Sequence, residues 1–309
     1  MDPLSDVLAL LKPRNLVCRG FNLGGAWAFR FGQWDGIKCY AVVSGRCWLS
    51  IESLEHAIEL NAGDCFLLPS GLPFGIGSDQ ALPGMDAMQS ICSAAEQGIG
   101  ISTFQGGGKC FIVGAHFATA GGHAGILTSL LPSIVHIRSE SEKTEWRWAL
   151  DRMRQELQGG QPGCQLVAQQ IAYMILVQAL RLHLAEKTTG SVGWLFAMAD
   201  KSLKVALDCM HEKPSHPWTL QELAQQAFMS RSLFARRFKE AVGETPMGYL
   251  TRWRMLVASE RLLNTADSMA VIALSSGYES ESAFRRAFRK VLGSPPRRFG
   301  RARSPHTAL

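Results

Sequence analysis

The chain lacks the cysteine spacing of a metal site. Eight cysteines occur in 309 residues, but none form a C-x-x-C pair. No Cys/His spacing matches a structural zinc, so a zinc-knit fold is excluded. A secretion leader is not expected: M-D-P-L-S-D is acidic and has neither the charged nor the apolar region of a signal peptide. No uninterrupted apolar run reaches the roughly 18–20 residues of a membrane span. The most apolar helical stretch, 166–184, is broken by Gln169, Gln170, Gln178, Arg181 and His183. The expectation is a cytoplasmic protein with free thiols, no metal, no cofactor and no membrane partner. Acidic residues are also scarce where basic ones are dense. Residues 201–309 carry 18 Lys+Arg against 9 Asp+Glu, whereas residues 1–200 carry 14 against 17. A basic last third on a slightly acidic remainder points to one module for a polyanion and another for something else.

What is present is a repeat. From Ser230 the chain reads S-R-S-L-F-A-R-R-F-K-E-A-V-G-E-T-P, and from Ser280 it reads S-E-S-A-F-R-R-A-F-R-K-V-L-G-S-P-P. Ser230/Ser280, Ser232/Ser282, Phe234/Phe284, Arg236/Arg286, Phe238/Phe288, Gly243/Gly293 and Pro246/Pro296 coincide at one offset. Each unit reads as a short helix, a turn and a basic second helix. That is the outline of a helix-turn-helix, present twice. In the first copy Thr219 and Glu222 form a capping-box signature, and Ser230 caps the second helix. Leu233, Phe234, Phe238 and Val242 face a core, while Arg231, Ser232, Ala235, Arg236 and Lys239 face away. In the second copy Gly277 suits a turn with positive φ, Ser280 caps, and Phe284, Phe288, Val291 and Leu292 face inward. Ser282, Arg285, Arg286 and Arg289 face outward, and Gly243 and Gly293 end the two helices. Between the copies, 246–263 is an amphipathic stretch opened by Pro246. A helix of about 18 residues is about 27 Å long. It would hold two recognition helices apart on a scale close to one turn of B-DNA, about 34 Å.

The segment 218–301 resembles the AraC/XylS family of transcription regulators, most clearly in I-A-L-S-S-G-Y-E-S-E-S-A-F-R-R-A-F-R-K-V-L-G-S-P-P. The resemblance implies base contacts from Ser232, Ala235 and Arg236 in the first motif and from Ser282, Ala283 and Arg286 in the second. Lys239, Arg285 and Arg289 would lie nearer phosphate, with Arg231 beside them at the first helix start. Chemistry ranks these residues. Arginine pairs bidentately with guanine for about 1–3 kcal/mol of discrimination, serine reads permissively, and alanine touches only a thymine methyl. Arg236 and Arg286 are therefore the expected readers. The alternative for each is a phosphate contact or an i,i+4 surface pair. Two departures stand out. Phe228 occupies a turn position where the family often has Gly, so either the turn is strained or its shape has changed. Gly300 follows Phe299 where the family commonly has Arg, and Arg301 comes one residue late.

Residues 20–120 alternate short apolar runs with glycine-marked turns, as in a small all-β barrel or sandwich. The pattern Gly63-x5-Pro69-x-Gly71-x2-Phe74 resembles the second cupin motif, with Phe74 where metal-binding cupins carry His. The first cupin motif, His-x-His followed by Glu, has no counterpart near Tyr40–Gly45. The expectation is a barrel without its metal, and hence no catalytic residue and no enzyme. His56, His116, His123 and His136 show no mutual spacing of a site. Two amphipathic helices follow, at 146–157 and 166–186, and the segment on to His211 resembles the cupin-bearing branch of the family. Ile171, Ile175, Leu182 and Met174 are either a homodimer seam or internal core. Cys18 and Cys110 are either a redox sensor, with Lys109 lowering the Cys110 pKa, or inert buried thiols.

The expected fold class is α+β with two domains, an N-terminal cupin-like β-barrel followed by helices and a C-terminal all-α double helix-turn-helix domain. The expected boundaries are a sensor and dimerisation domain at 1–190, a connecting helix and linker at 191–217, and the DNA-binding domain at 218–309. The expected function is sequence-specific transcription regulation, more readily activation than repression by resemblance. The partners are double-stranded promoter DNA, RNA polymerase, a small-molecule or oxidant effector and a second copy of the chain. The rivals are an enzyme whose helix-turn-helix is incidental and a nonspecific architectural DNA-binding protein.

Overall fold

A computed structural model describes residues 2–11, 14–87, 89–90, 100–118, 128, 131–138, 143–159, 161–185 and 193–301. His123 and Cys92 lie outside the described residues. Contacts divide the chain into two units. One holds residues 13–119 and 132–186; the other holds 1–12, 120–131 and 187–309.

Among the described residues the first unit is built on strands β1 (Arg14–Leu23), β2 (Ala28–Phe31), β3 (Gly36–Ser44), β4 (Arg46–Ser50), β5 (Ile58–Asn61), β6 (Cys65–Leu68), β7 (Phe74–Gly77), β8 (Met85–Asp86), β9 (Gly100–Phe104), β10 (Cys110–Ala118) and β11 (Val135–Ile137). They form two sheets, ordered β11-β6-β3-β10-β1-β9 and β5-β4-β7-β2-β8. Strand residues of period two fill the space between the sheets. Phe21, Leu23, Tyr40, Val42, Phe66, Leu68 and Ile112 come from the larger sheet. Phe29, Phe31, Cys47, Leu49, Leu60, Phe74 and Ile76 come from the smaller one. Helices α2 (Lys143–Gln158) and α3 (Cys164–Ala185) pack on each other and on the larger sheet. Trp146 of α2 donates its indole N–H to the Gly63 carbonyl at 2.8 Å. Because β3 and β10 are covered on both faces, they read as continuous apolar runs rather than alternating ones.

Phe74, in place of the cupin histidine, is buried in the aromatic core. It stacks on Phe31 with centroids 4.6 Å apart and meets Tyr40 and Phe66 edge-on. Gly71 keeps its place in the motif because its φ is +61 and a Cβ there would lie 1.9 Å from the Trp34 carbonyl. Sequence reading did not single out Lys38, whose ammonium is buried at this end of the barrel. It donates to the carbonyls of Gly32 (2.5 Å) and Leu72 (2.8 Å) and sits 5.1 Å from the Phe74 ring centre. Burial lowers its pKa to about 8.

The histidines stay apart. His56 is exposed in a turn. His116 of β10 and His136 of β11 are separated by β3 and β6, about 14 Å at strand spacing. Among the described residues no three His, Cys, Asp or Glu side chains converge. On α3, Ile171 and Ile175 are buried within the unit, so for these two the core reading holds, while Met174 and Leu166 are exposed.

The two candidate sensor cysteines are also apart. Cys18 pairs with Ala115 across β1 and β10, five residues along β10 from Cys110, or about 17 Å. Cys18 is buried beside the Ala168 carbonyl of α3, whereas Cys110 belongs to the core between the sheets. The two are not brought together, since a disulfide needs Cα atoms within about 7 Å. Burial raises the Cys18 pKa to about 12. The Cys47 thiol donates to the Cys110 sulfur and holds Cys110 below its ordinary value, a role expected of Lys109. The Cys65 thiol donates to the Cys39 sulfur.

The Tyr40 hydroxyl lies 2.7 Å from His116 Nε2, which accepts its proton when the ring is neutral. Burial, then Lys38 and Arg19, lower the His116 pKa from 6.5 to about 4. The unfolded chain therefore binds this proton first. The contribution is complete above pH 6.5 and is lost as pH falls toward about 4. His116→Gln keeps an acceptor without titrating. Thermal unfolding of the barrel across this range should show a flatter acid limb for the variant than for the parent.

Candidate nucleic-acid interface

The second unit is helical. Its elements are α1 (Pro3–Leu11), α4 (Trp194–Ala197), α5 (Lys201–Glu212), α6 (Leu220–Gln226), α7 (Arg231–Val242), α8 (Pro246–Asn264), α9 (Met269–Ser275), α10 (Glu281–Leu292) and α11 (Pro296–Arg301). Contacts group α1 with this unit, against α5 and α8, with Leu4, Val7, Leu8 and Leu11 buried. A polar chain accompanies this packing. Asp6 Oδ2 lies 3.2 Å from His211 Nδ1, and His211 Nε2 lies 2.7 Å from the Tyr249 hydroxyl. The ring stacks on Trp253 with centroids 3.9 Å apart. Burial lowers the His211 pKa despite the opposing carboxylate, so a neutral ring donates to Asp6 and accepts from Tyr249.

The capping chemistry is as the residues suggest. Thr219 Oγ1 accepts from the Glu222 amide at 3.1 Å, and Glu222 Oε2 accepts from the Thr219 amide at 2.8 Å. Ser230 accepts from Leu233 N, and Ser280 from Ala283 N. Gly243 and Gly293 adopt left-handed conformations at the ends of α7 and α10. The two turns share one shape. In the first, the Met229 amide donates to the Ala224 carbonyl at 2.9 Å; in the second, the Tyr278 amide donates to the Ala273 carbonyl at 3.0 Å. Phe228 occupies the Gly277 position at φ +55, with Gly277 at +78. Thus the strained alternative is realised and the turn shape is kept. Phe228 has no packing to offset the strain, being 89% exposed.

Phe234 and Phe238 of α7 and Phe284 and Phe288 of α10 are fully buried. Leu233, expected inward, lies on the shoulder of α7 and is 36% exposed, because it is offset by one residue from the Phe234–Phe238 stripe. Facing outward on α7 are Arg231, Ser232, Arg236 and Lys239, with Ala235 half-buried. Arg236 has a loose 4.0 Å pair with Glu240, both strongly exposed, of the kind worth little in water. Arg237 is held elsewhere, 2.5 Å from Asp200, which also caps α5. On α10, Ser282, Arg286 and Arg289 are exposed and Ala283 is half-buried. Arg285 is tied to Glu281 at 2.5 Å, the surface-pair alternative for that residue. Among the described residues no carboxylate pairs with Arg286 or Arg289.

A cleft of about 360 Å³ joins these groups, lined by Ser282, Arg285, Arg286, Arg289, Pro295, Pro296 and Arg297. Arg297 is the member that sequence reading missed. The signal was the S-P-P stop, which starts α11 and turns the chain back toward α10. Helix α8 connects the two motifs. Its 19 residues make it about 28 Å long, against the 246–263 expected. Tyr249 meets Phe238 of α7, and Met255 and Ala258 share a core with Ile272, Ala273, Phe284 and Phe288.

Two capped helices carrying outward arginines, each after the same tight turn and both seated on one rod, define a DNA-binding transcription regulator. Comparison with known proteins agrees over nearly the whole chain. Residues 2–185 match the cupin family and residues 223–302 a helix-turn-helix domain. An AraC-like transcription regulator of Streptomyces lividans is 38% identical over 297 residues, 96% of this chain and 97% of its own length. The HTH-type transcriptional regulator AlkR of Acinetobacter baylyi is 30% identical, covering 89% of this chain and 91% of its own. The RCS-specific HTH-type transcriptional activator RclR of Escherichia coli is 28% identical, covering 96% of each. The chain belongs to the AraC/XylS family of transcription regulators, in the branch with a cupin N-terminal domain. No described helix is long and apolar enough to cross a membrane.

A left-handed backbone costs an L residue about 1–2 kcal/mol, and asparagine tolerates it better than phenylalanine. Phe228→Asn should therefore raise the stability of the helical unit by about 1 kcal/mol, read as a higher midpoint in urea unfolding.

Proposed function

We propose that the protein is a promoter-specific transcription activator, not an enzyme, acting in the cytoplasm on double-stranded DNA. It reads sequence with α7 and α10 and answers a signal received by its cupin domain. The observation that carries this reading is the pairing of unencumbered arginines on two matched recognition helices. Among the described residues no carboxylate pairs with Arg286, Arg236 has only the loose contact to Glu240, and both arginines are exposed at equivalent positions. Each would take guanine O6 and N7 in successive major grooves, with Ser232 and Ser282 as permissive neighbours. Ala235 and Ala283 would meet thymine methyls. Arg231, Lys239, Arg289 and Arg297 would neutralise phosphates, which gives affinity and its salt dependence but no sequence information. Arg285, bound to Glu281, contributes to phosphate only after exchanging that partner.

Activation rests on recruitment of RNA polymerase, and a homodimer through the outer face of α3 would present four motifs to a promoter. RclR is an RCS-specific activator, and the signal proposed here is an oxidant. Here the adjacent pairs Cys47/Cys110 and Cys39/Cys65 favour that reading over Cys18 with Cys110. Hypochlorous acid or a peroxide would take two electrons and two protons from such a pair as its S–S bond forms. Thiol labelling before and after oxidant would detect the loss of both cysteines of one pair together. Loss of Cys18 alone, or no loss, turns the reading toward a small-molecule effector.

Selection of binding sites from random duplexes, followed by titration, tests the DNA reading. A specific regulator separates its site from random DNA by about a thousandfold or more. Equal affinity would make it an architectural protein. Arg286→Ala should cost about 1–3 kcal/mol and relax the preference at one base pair. Lys239→Ala should instead weaken all duplexes alike and reduce the salt slope by about one.

A further inference from the structure

Arg254 projects from the middle of α8, the helix that joins the two motifs, and its guanidinium is shared between them. Its Nε donates to the Pro214 carbonyl at 2.6 Å and its Nη2 to the His216 carbonyl at 2.7 Å. Both acceptors belong to the segment that leads from α5 into α6, the first helix of the first motif. That segment is itself ordered, since the Trp218 amide donates to the His216 carbonyl at 2.7 Å and the Trp218 indole to the Lys213 carbonyl at 3.0 Å. The other side of the guanidinium belongs to the second motif. Its carbon lies 5.9 Å from the Tyr278 ring centre, and Tyr278 also hydrogen-bonds Arg254 and Thr251.

Gly277 completes the junction. A Cβ at this position would stand 2.8 Å from the Ser215 carbonyl and 2.9 Å from Arg254 Nη2. The turn before the second recognition helix therefore lies directly against the strand of chain before the first motif, with the guanidinium wedged beside it. Apolar packing holds α8 to each motif separately but is tolerant of small slides and rotations. A planar fork with two fixed acceptors and a ring on its face is not tolerant, and lysine cannot reproduce it.

We propose that Arg254 is a positioning residue for DNA reading. By clamping 214–216 to the turn at Gly277–Tyr278, it fixes α10 relative to α7 and so sets the base-pair spacing between the two elements the protein accepts. Arg254 touches no DNA in this scheme; it acts through the two turns. The proposal rests on the reading that both helices contact one duplex.

The test uses the full chain and the duplex selected for it, with one base pair inserted or removed between the two elements. Each such step shifts one element by about 3.4 Å along the axis and turns it by about 34°. The parent should lose about tenfold to a hundredfold in affinity per step, the scale of one or two mismatched contacts. Arg254→Lys should weaken binding at the best spacing while reducing the penalty for a one-base-pair change to about threefold or less. Tyr278→Leu removes the ring beneath the guanidinium but leaves both carbonyl bonds, and should flatten the spacing profile in the same direction to a smaller degree. It carries the test if the Arg254 variant does not fold. A uniform loss of affinity with the spacing profile unchanged would overturn the proposal and make Arg254 a stability residue. A parent protein that shows no spacing preference, or no preferred sequence, would instead remove the two-helix reading on which it rests.

Discussion

Everything the helical unit does depends on α8 being a rod with two different ends. Its N-terminal half meets the first motif through Tyr249 and Phe238. Its C-terminal half shares a core with Ile272, Phe284 and Phe288 of the second. Hydrophobic packing of this kind is non-directional. The directional constraints are polar and include His211 between Asp6 and Tyr249 at one end and Arg254 between two carbonyls and a tyrosine in the middle. Buried polar groups are costly when unsatisfied, so they select one arrangement among many that bury similar area. A module that must place two helices in successive grooves of a stiff duplex needs that selection more than it needs further stability.

The barrel solves a different problem. A cupin fold organised around a metal has polar ligands at its centre. Here the corresponding space holds Phe74 in a cluster with Phe31, Tyr40 and Phe66. The buried Lys38 ammonium is internal to the fold: it satisfies two loop carbonyls and faces the Phe74 ring. The neutral His116 beside it accepts from Tyr40. The cation and the aromatic rings fill this space with side chains, while Gly71 is required by its backbone and not by a metal.

The recognition helices were the most legible part of the sequence. Capping rules depend on residues three apart, and left-handed helix ends depend on one glycine, so Thr219, Ser230, Ser280, Gly243 and Gly293 could be assigned from local spacing. Arg286 and Arg289 could be placed outward by helical period alone. Arg285 could be placed outward in the same way, but not its pair with Glu281, which depends on a choice of rotamer among several. Phe228 lay at the limit of such reasoning. The sequence shows that either strain or a new turn must follow, and only the backbone shows φ at +55.

Non-local contacts were the illegible part. Pro3–Leu11 was not singled out in the sequence, and its place is set by burial of Leu4, Val7 and Leu8 against α5 and α8. Cys47 and Cys110 lie 63 residues apart and meet only because two sheets face each other. Cys18 and Cys110 share a strand pair yet point to opposite faces, a matter of odd and even register. The sequence by itself determined the two modules, the double motif and the residues available to DNA, because those follow from periodicity and charge within a few turns. Tertiary structure decided which polar groups meet across the chain, and therefore how rigidly the two reading heads are held, because such meetings depend on packing between elements far apart in sequence.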